Sequence, residues 1–425
     1  MNNKIPRAEK TITDQGMVIL SERLETMRSI AMGIYVGVGS EDESLKEWGL
    51  SHFIEHMTFR GTGRRNVGDI ARELDAVGGK INAYTAKDST VYFAMVIDEH
   101  IDIAIDILGD IFLNSTYDPK DIEIEKNVAL EEIKMYEDTP DEYIHDLFAE
   151  TILGGHAAGR STLGTKETIK AITRDEILLY RKKHYSPDNV IISIAGNIEH
   201  AEVVKKLDRL FSSFSGTRAP FTRTLPNIVG KMNIRSKKTE QVHICLGSKG
   251  VSHLDELRFA VIALDNVIAG SMSSRLFQDI REKRGLAYSI FSYNLPFKDF
   301  GIYGIYAGTS KENVEEVITE ILKELKKIKK EGITKEELTR AKDYLKGSLV
   351  LGLESTSSRM SWLSSSYYRY GRVLTIDEVF DKVESVTHDN IVKLAEDIFK
   401  NKYLTLIAIG DYAEGEFPLK EVKID

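Results

Sequence analysis

"TRDEILLYRKKHYSPDNVIISIAGN", residues 173–197, is answered 214 residues later by "THDNIVKLAEDIFKNKYLTLIAIGD", residues 387–411. In that register Thr173 aligns with Thr387, Asp175 with Asp389, Ile177 with Ile391 and Gly196 with Gly410. Each segment reads as a capped helix followed by a short apolar strand. Around both copies the order of elements repeats: strand, two helices, a strand pair, several helices, then the closing strand. A repeated order of this kind points to duplication. "NAYTAKDSTVYFAMV" and "AYSIFSYNLPFKDFGIYGIYAG" read as hairpins, so the sheets are expected to be largely antiparallel. The predicted class is α+β, two homologous domains with helices covering a sheet in each.

The stretch "SFSGTRAPFTRTLPNIVGK", residues 213–231, gathers Ser, Gly, Thr, Pro220 and Pro226 and reads as the linker. This predicts a first domain over 1–215, a linker over 216–235 and a second domain over 236–425. A chain of 425 residues is too long for one typical core, which agrees. A hydrophobic fraction of 42% with 29% charged residues is that of a globular protein. The net charge of -9 argues against a general nucleic-acid binder. Cys245 is the only cysteine, so no intrachain disulfide forms, and "QVHICLGS" reads as a strand that buries the thiol. The N-terminal "MNNKIPRAEKTITDQG" carries neither an apolar signal core nor an Arg-rich presequence, and no run reaches the ~20 apolar residues of a membrane helix. A cytoplasmic protein that does not enter the membrane is expected.

"LSHFIEHMTFRGT", residues 50–62, carries the chemistry. At about 100° per residue, Leu50, Phe53, Ile54 and Met57 share one side of a helix, and His52, Glu55 and His56 share the other. Two imidazoles one turn apart reach a single ion with a carboxylate beside them. The competing reading is a solvated polar face. The spacing His-x-x-Glu-His is the inverse of the zinc helix His-Glu-x-x-His. A catalytic zinc has three protein ligands and keeps a fourth position open, so one ligand must come from elsewhere. In "YDPKDIEIEKNVALEEIKMYED", residues 117–138, Asp118 is a candidate N-cap and Pro119 a first helical residue. Glu125 and Glu132 share a face of that helix, although composition alone singles out neither. His243, His253 and His388 of the second half form no metal pair, so chemistry is expected only in the first.

"SHFIEHMTFRGT", "GGKINAYTAKDSTVYF" and "NVALEEIKMYED", with "SMSSRLFQDIREKRGLAYS" in the second half, resemble the pitrilysin or insulinase family of inverted-motif zinc peptidases, nearest its processing-peptidase branch. The resemblance implies one Zn2+ per chain on His52, His56 and Glu132, with Glu55 as general base and Glu125 as a supporting acidic residue. It implies an extended peptide laid along "GGKINAYT", residues 78–85, with contacts at Asn82 and Ala83. Glu142 and Asp146, one helical turn apart, match acidic residues that hold an arginine near the cut, a task suited to paired carboxylates. Arg281 and Tyr288 match a pair that holds substrate opposite the zinc. Four-domain relatives close a chamber in one chain, so a two-domain chain is expected to form a homodimer. The expected activity is zinc-dependent endopeptidase cleavage of peptides or small unfolded precursors. The alternative is a catalytically silent core or partner subunit with a structural or peptide-binding role, which would predict a damaged motif.

Overall fold

Two sheets carry the eleven strands found among the described residues, which are 8–220 and 223–424 of this computed structural model. The first joins β1 (Glu9–Ile12), β2 (Val18–Arg23), β3 (Ser29–Val36), β4 (Lys80–Thr85), β5 (Thr90–Ile97) and β6 (Val190–Gly196) in the order β1-β2-β6-β3-β5-β4. The second joins β7 (Met232–Ser236), β8 (Val242–Gly250), β9 (Ala287–Pro296), β10 (Gly301–Thr309) and β11 (Thr405–Gly410) in the order β7-β11-β8-β10-β9. Without β1 the two orders are the same, position by position. Each has a single parallel pair, β2 with β6 and β7 with β11, and every other pairing is antiparallel.

The helices are α1 (Leu50–Thr58), α2 (Val67–Asp75), α3 (Ile101–Asn114), α4 (Pro119–Glu137), α5 (Pro140–Ile152), α6 (Lys166–Ala171), α7 (Arg174–His184) and α8 (His200–Leu210), then α9 (Arg258–Ile268), α10 (Val314–Glu331), α11 (Lys335–Gly352), α12 (Thr356–Tyr370), α13 (Ile376–Glu384) and α14 (His388–Ile398). The 214-residue offset superimposes α7 on α14, and the turn Pro187–Asn189 on Asn401–Tyr403. Both helices start from a threonine, Thr173 as expected and its counterpart Thr387, whose hydroxyl accepts the N–H three residues on. The class is α+β, as the hairpins and helices predict.

The spatial units differ from the two halves of the chain. One comprises 1–134, 161–223 and 351–374; the other comprises 135–160, 224–350 and 375–425. The halves therefore exchange helices: α12 belongs to the first unit and α5 to the second. The cause is that β6 and β11 are buried along their whole length, so each sheet needs cover on both faces. In the first unit, the Arg359 guanidinium donates to buried Glu22 at 2.9 Å and Ser29 pairs with Thr356 at 3.1 Å. In the second, α5 packs on β8 and β11, with Phe148 and Ile152 against Cys245, Ile407 and Ile409. Cys245 is a buried strand thiol, as predicted.

The expected linker is not a free tether. The Arg218 guanidinium lies 3.3 Å from Asp42 and its N–H bonds Asp188, while Arg223 reaches Glu41 at 2.7 Å and Tyr368 at 3.1 Å. Its last residues, Met232–Arg235, belong to β7. Residues 1–7 of the N-terminal stretch and residues 221–222 of the linker lie outside the described residues.

Candidate metal centre

Helix α1 starts at Gly49, whose φ of +92° is easily adopted only by a residue without Cβ. The first N–H groups of the helix need acceptors. Glu43 supplies them, taking Gly49 N–H at 2.8 Å and Ser51 N–H at 2.7 Å. Burial pushes Glu43 up to about 8 against the pull of those bonds. Leu50, Phe53, Ile54 and Met57 anchor the other side of the helix in the core, as the wheel requires. The polar side is not a wet surface: Glu55 is buried and His52 and His56 are half-buried.

His52 and His56 stand one turn apart with ring centroids at 4.4 Å. Glu132, on α4, brings Oε1 to 3.8 Å from His52 Nε2 and Oε2 to 3.9 Å from His56 Nε2. One donor atom from each of the three lies within 4.8 Å of the others. Tetrahedral bonds of ~2.0–2.1 Å would set such atoms roughly 3.4 Å apart, so a small contraction closes them on one ion. Glu132 Oε2 is shielded from solvent without a hydrogen-bond partner among the described residues. A buried orphan carboxylate oxygen is costly unless something binds it, and with two imidazoles facing it the donor set suits zinc. Burial, then the neighbouring His56, holds His52 down at about 3, so its lone pair is free. Burial also pushes Glu132 up, against the attraction of His56.

Helix α4 begins as predicted, with Asp118 accepting Lys120 N–H at 2.8 Å and Pro119 as its first residue. Glu125 points inward from it and accepts from His56 Nδ1 at 2.7 Å. Burial alone would raise Glu125, but the bonds from His56 and Arg60 hold it below the usual carboxylate range. An ionised carboxylate only accepts, so His56 Nδ1 carries a proton and Nε2 is left facing Glu132. Glu55 accepts from Thr85 Oγ1 at 2.7 Å, and burial raises its carboxyl despite that bond.

Thr85 ends β4, the edge strand of its sheet. Asn82 and Ala83 lie on the same strand, Asn82 exposed and Ala83 packed on the core. Glu142 and Asp146 sit on α5 in the second unit, where Tyr136 donates to the Glu142 carbonyl at 3.2 Å. Arg281 and Tyr288 come together in that unit. The guanidinium lies 5.4 Å from the Tyr288 ring centroid and 4.8 Å from that of Phe277, within the π-helical turn Phe277–Lys283. Tyr288 is 77% exposed on edge strand β9, unlike a core strand residue. Glu43, Arg60 and Thr85 have no signal in the sequence, because each acts on a residue whose proximity only the fold creates.

Residues 18–166 match the insulinase family (peptidase family M16), and residues 171–345 match the peptidase M16 inactive domain. The uncharacterized zinc protease YmxG of Bacillus subtilis is 41% identical over 394 residues, covering 92% of this chain and 96% of its own. An uncharacterized zinc protease of Streptomyces coelicolor is 39% identical, covering 93% and 88%. Among solved structures, a protease from Helicobacter pylori superimposes with a TM-score of 0.87 at 22% identity, over 95% of this chain and 99% of that one. A peptidase M16 inactive domain from Pseudomonas fluorescens gives 0.89 at 17%, over 96% and 98%. These two show the fold alone. No helix among the described residues is long and apolar enough to cross a membrane. With both halves matched and relatives of this identity along nearly the whole chain, the protein belongs to the insulinase family, peptidase family M16.

Proposed function

We infer that this chain is a zinc metalloendopeptidase that cleaves peptides or small unfolded precursors held in an extended form. The observation that carries the reading is the convergence of His52, His56 and Glu132, with the orphaned Glu132 Oε2, beside a Glu55 that ligates nothing in the set. Zinc bound by these three residues would supply Lewis acidity, activating a water and polarising the scissile carbonyl. Glu55 would serve as general base and then general acid, accepting a proton from the attacking water and returning it to the leaving amine. Thr85 fixes the carboxylate while it does so. The substrate main chain pairs with the outer edge of β4 near Asn82 and Ala83, where hydrogen bonds to backbone give affinity without sequence selection. Glu142 and Asp146 then favour an arginine near the cut. The assembly is a two-fold homodimer, a closed chamber in the cytoplasm, in which Arg281 and Tyr288 contact the substrate.

Zinc content measured beside cleavage of an internally quenched peptide tests the activity. Glu55→Gln is expected to keep zinc and lose about 10²–10⁴-fold in turnover, while His52→Ala loses both. A zinc-loaded wild-type protein that cleaves no peptide from a diverse pool would establish the silent-subunit alternative instead.

A further inference from the structure

Arg60 is the second residue past the end of α1, its N–H bonded to Met57 O at 3.1 Å. Its side chain reaches Glu125, donating from Nε to Oε2 with Nη2 in ion-pair contact with the same oxygen. The other oxygen, Oε1, accepts from His56 Nδ1. The two oxygens of one buried carboxylate are thus divided between a guanidinium and an imidazole. A glutamate bonded only through Oε1 would still rotate about its last torsion, which is broad and roughly two-fold. Two nitrogens on Oε2 remove that freedom, and a guanidinium presents them in a fixed fork.

We propose that Arg60 is a positioning residue for the metal centre: it locks the Glu125 carboxylate so that His56 stands in one ring orientation with Nε2 toward Glu132. The inference rests on the metal-centre reading above and adds a residue to it. Arg60 is not one of the three converging ligands; it acts through Glu125. The other arginines of the same loop are spent elsewhere. Arg64 and Arg65 bind Asp106 and Asp110, with Glu73 also on Arg65.

The test is zinc affinity, measured by competition with a chromophoric chelator in wild type, Arg60→Met, Arg60→Lys, Glu125→Gln and the double variant Arg60→Met with Glu125→Gln. Loss of a group that orients a metal-bound histidine typically costs 10–100-fold in affinity, so Arg60→Met is expected to weaken zinc by about that factor. Arg60→Lys restores part of the loss, since one ammonium replaces the charge without the fork. The double variant should bind no worse than Glu125→Gln, because the arginine has nothing left to hold. Arg65→Met is the control: it loosens the same loop without disturbing Glu125, so it lowers the melting temperature and leaves zinc affinity in place. Unchanged zinc affinity in Arg60→Met, or losses that add in the double variant, overturn the proposal. A wild-type protein with no zinc affinity overturns the metal-centre reading instead, so the two failures are separable.

Discussion

His184 ends α7 fully buried, its ring tilted against Tyr180 with centroids at 4.4 Å, and neither ring nitrogen has a hydrogen-bond partner among the described residues. Burial, then the charges of Lys183 and Arg218, holds its pKa down at about 4. The unfolded chain takes up that proton near ~6.5. The stability contributed by the neutral ring is therefore complete above pH 6.5 and is lost as the pH falls toward 4. Between pH 7.5 and 5 this amounts to about 2 kcal/mol. Urea unfolding at the two pH values should show wild type losing about that much more stability than His184→Phe; parallel losses would remove the explanation. In the last turn of a helix a charged ring is ordinarily favoured. Burial decides the opposite, and burial was not visible. The same limit runs through the metal centre. The wheel put His52, Glu55 and His56 on one face, because that needs only helical geometry. Glu132 and Glu125 needed the family resemblance, and Thr85 needed the fold.

Gly33 of β3 and Gly247 of β8 lie 214 residues apart, at equivalent places in the two sheets. A Cβ on Gly33 would collide with Met360 Sδ of α12, and one on Gly247 with the Phe148 ring of α5 and the Tyr303 carbonyl. Both glycines therefore admit the exchanged helix. Glycine to alanine at either site overfills a packed contact, costing typically 1–3 kcal/mol. Methionine can change rotamer whereas a carbonyl in a neighbouring strand cannot, so Gly247→Ala is expected to fall at the upper end and Gly33→Ala at the lower. Chemical denaturation with far-ultraviolet detection measures both; equal and negligible losses would mean that the helices do not need the glycines. The duplicated strand order was legible because the 214-residue offset aligns capping threonines and closing strands. The helix exchange was not. The apolar faces of "PDEYIHDLFAETI" and "TSSRMSWLSSSYYRY" say that each helix is buried, and nothing in a periodicity names the sheet that receives it. For the same reason, residues 232–235 looked like linker: β7 is an edge strand of only five residues between Lys231 and Lys237, too short for its alternation to be read.

Of the edge strands found among the described residues, β4 and β9 have matching rank in the two sheets, β4 with the metal-binding motif nearby in sequence and structure, and β9 with the exposed Tyr288 and its Arg281 partner. An exposed edge invites pairing with another chain, and natural proteins leave one bare for recognition or cover it. In the proposed dimer, the zinc of one subunit would face Arg281 and Tyr288 of the other, and both groups would donate hydrogen bonds to the peptide carbonyl as it gains charge. This makes a demand that a single-chain site does not. His52→Ala has no metal ligand set of its own but an intact Arg281, and Arg281→Ala has the reverse defect. Each homodimer should be nearly inactive. Mixed under conditions of subunit exchange, the two form heterodimers in which one of the two sites has an intact ligand set facing an intact arginine. With half of the dimers mixed and one good site in two, roughly a quarter of wild-type activity should return. Native mass spectrometry of differently labelled variants confirms the exchange, and the quenched peptide reads the activity. Confirmed heterodimers without recovered cleavage would mean that the zinc ligands and Arg281 act within one chain, and the facing of one subunit's zinc by the partner's arginine would have to be abandoned.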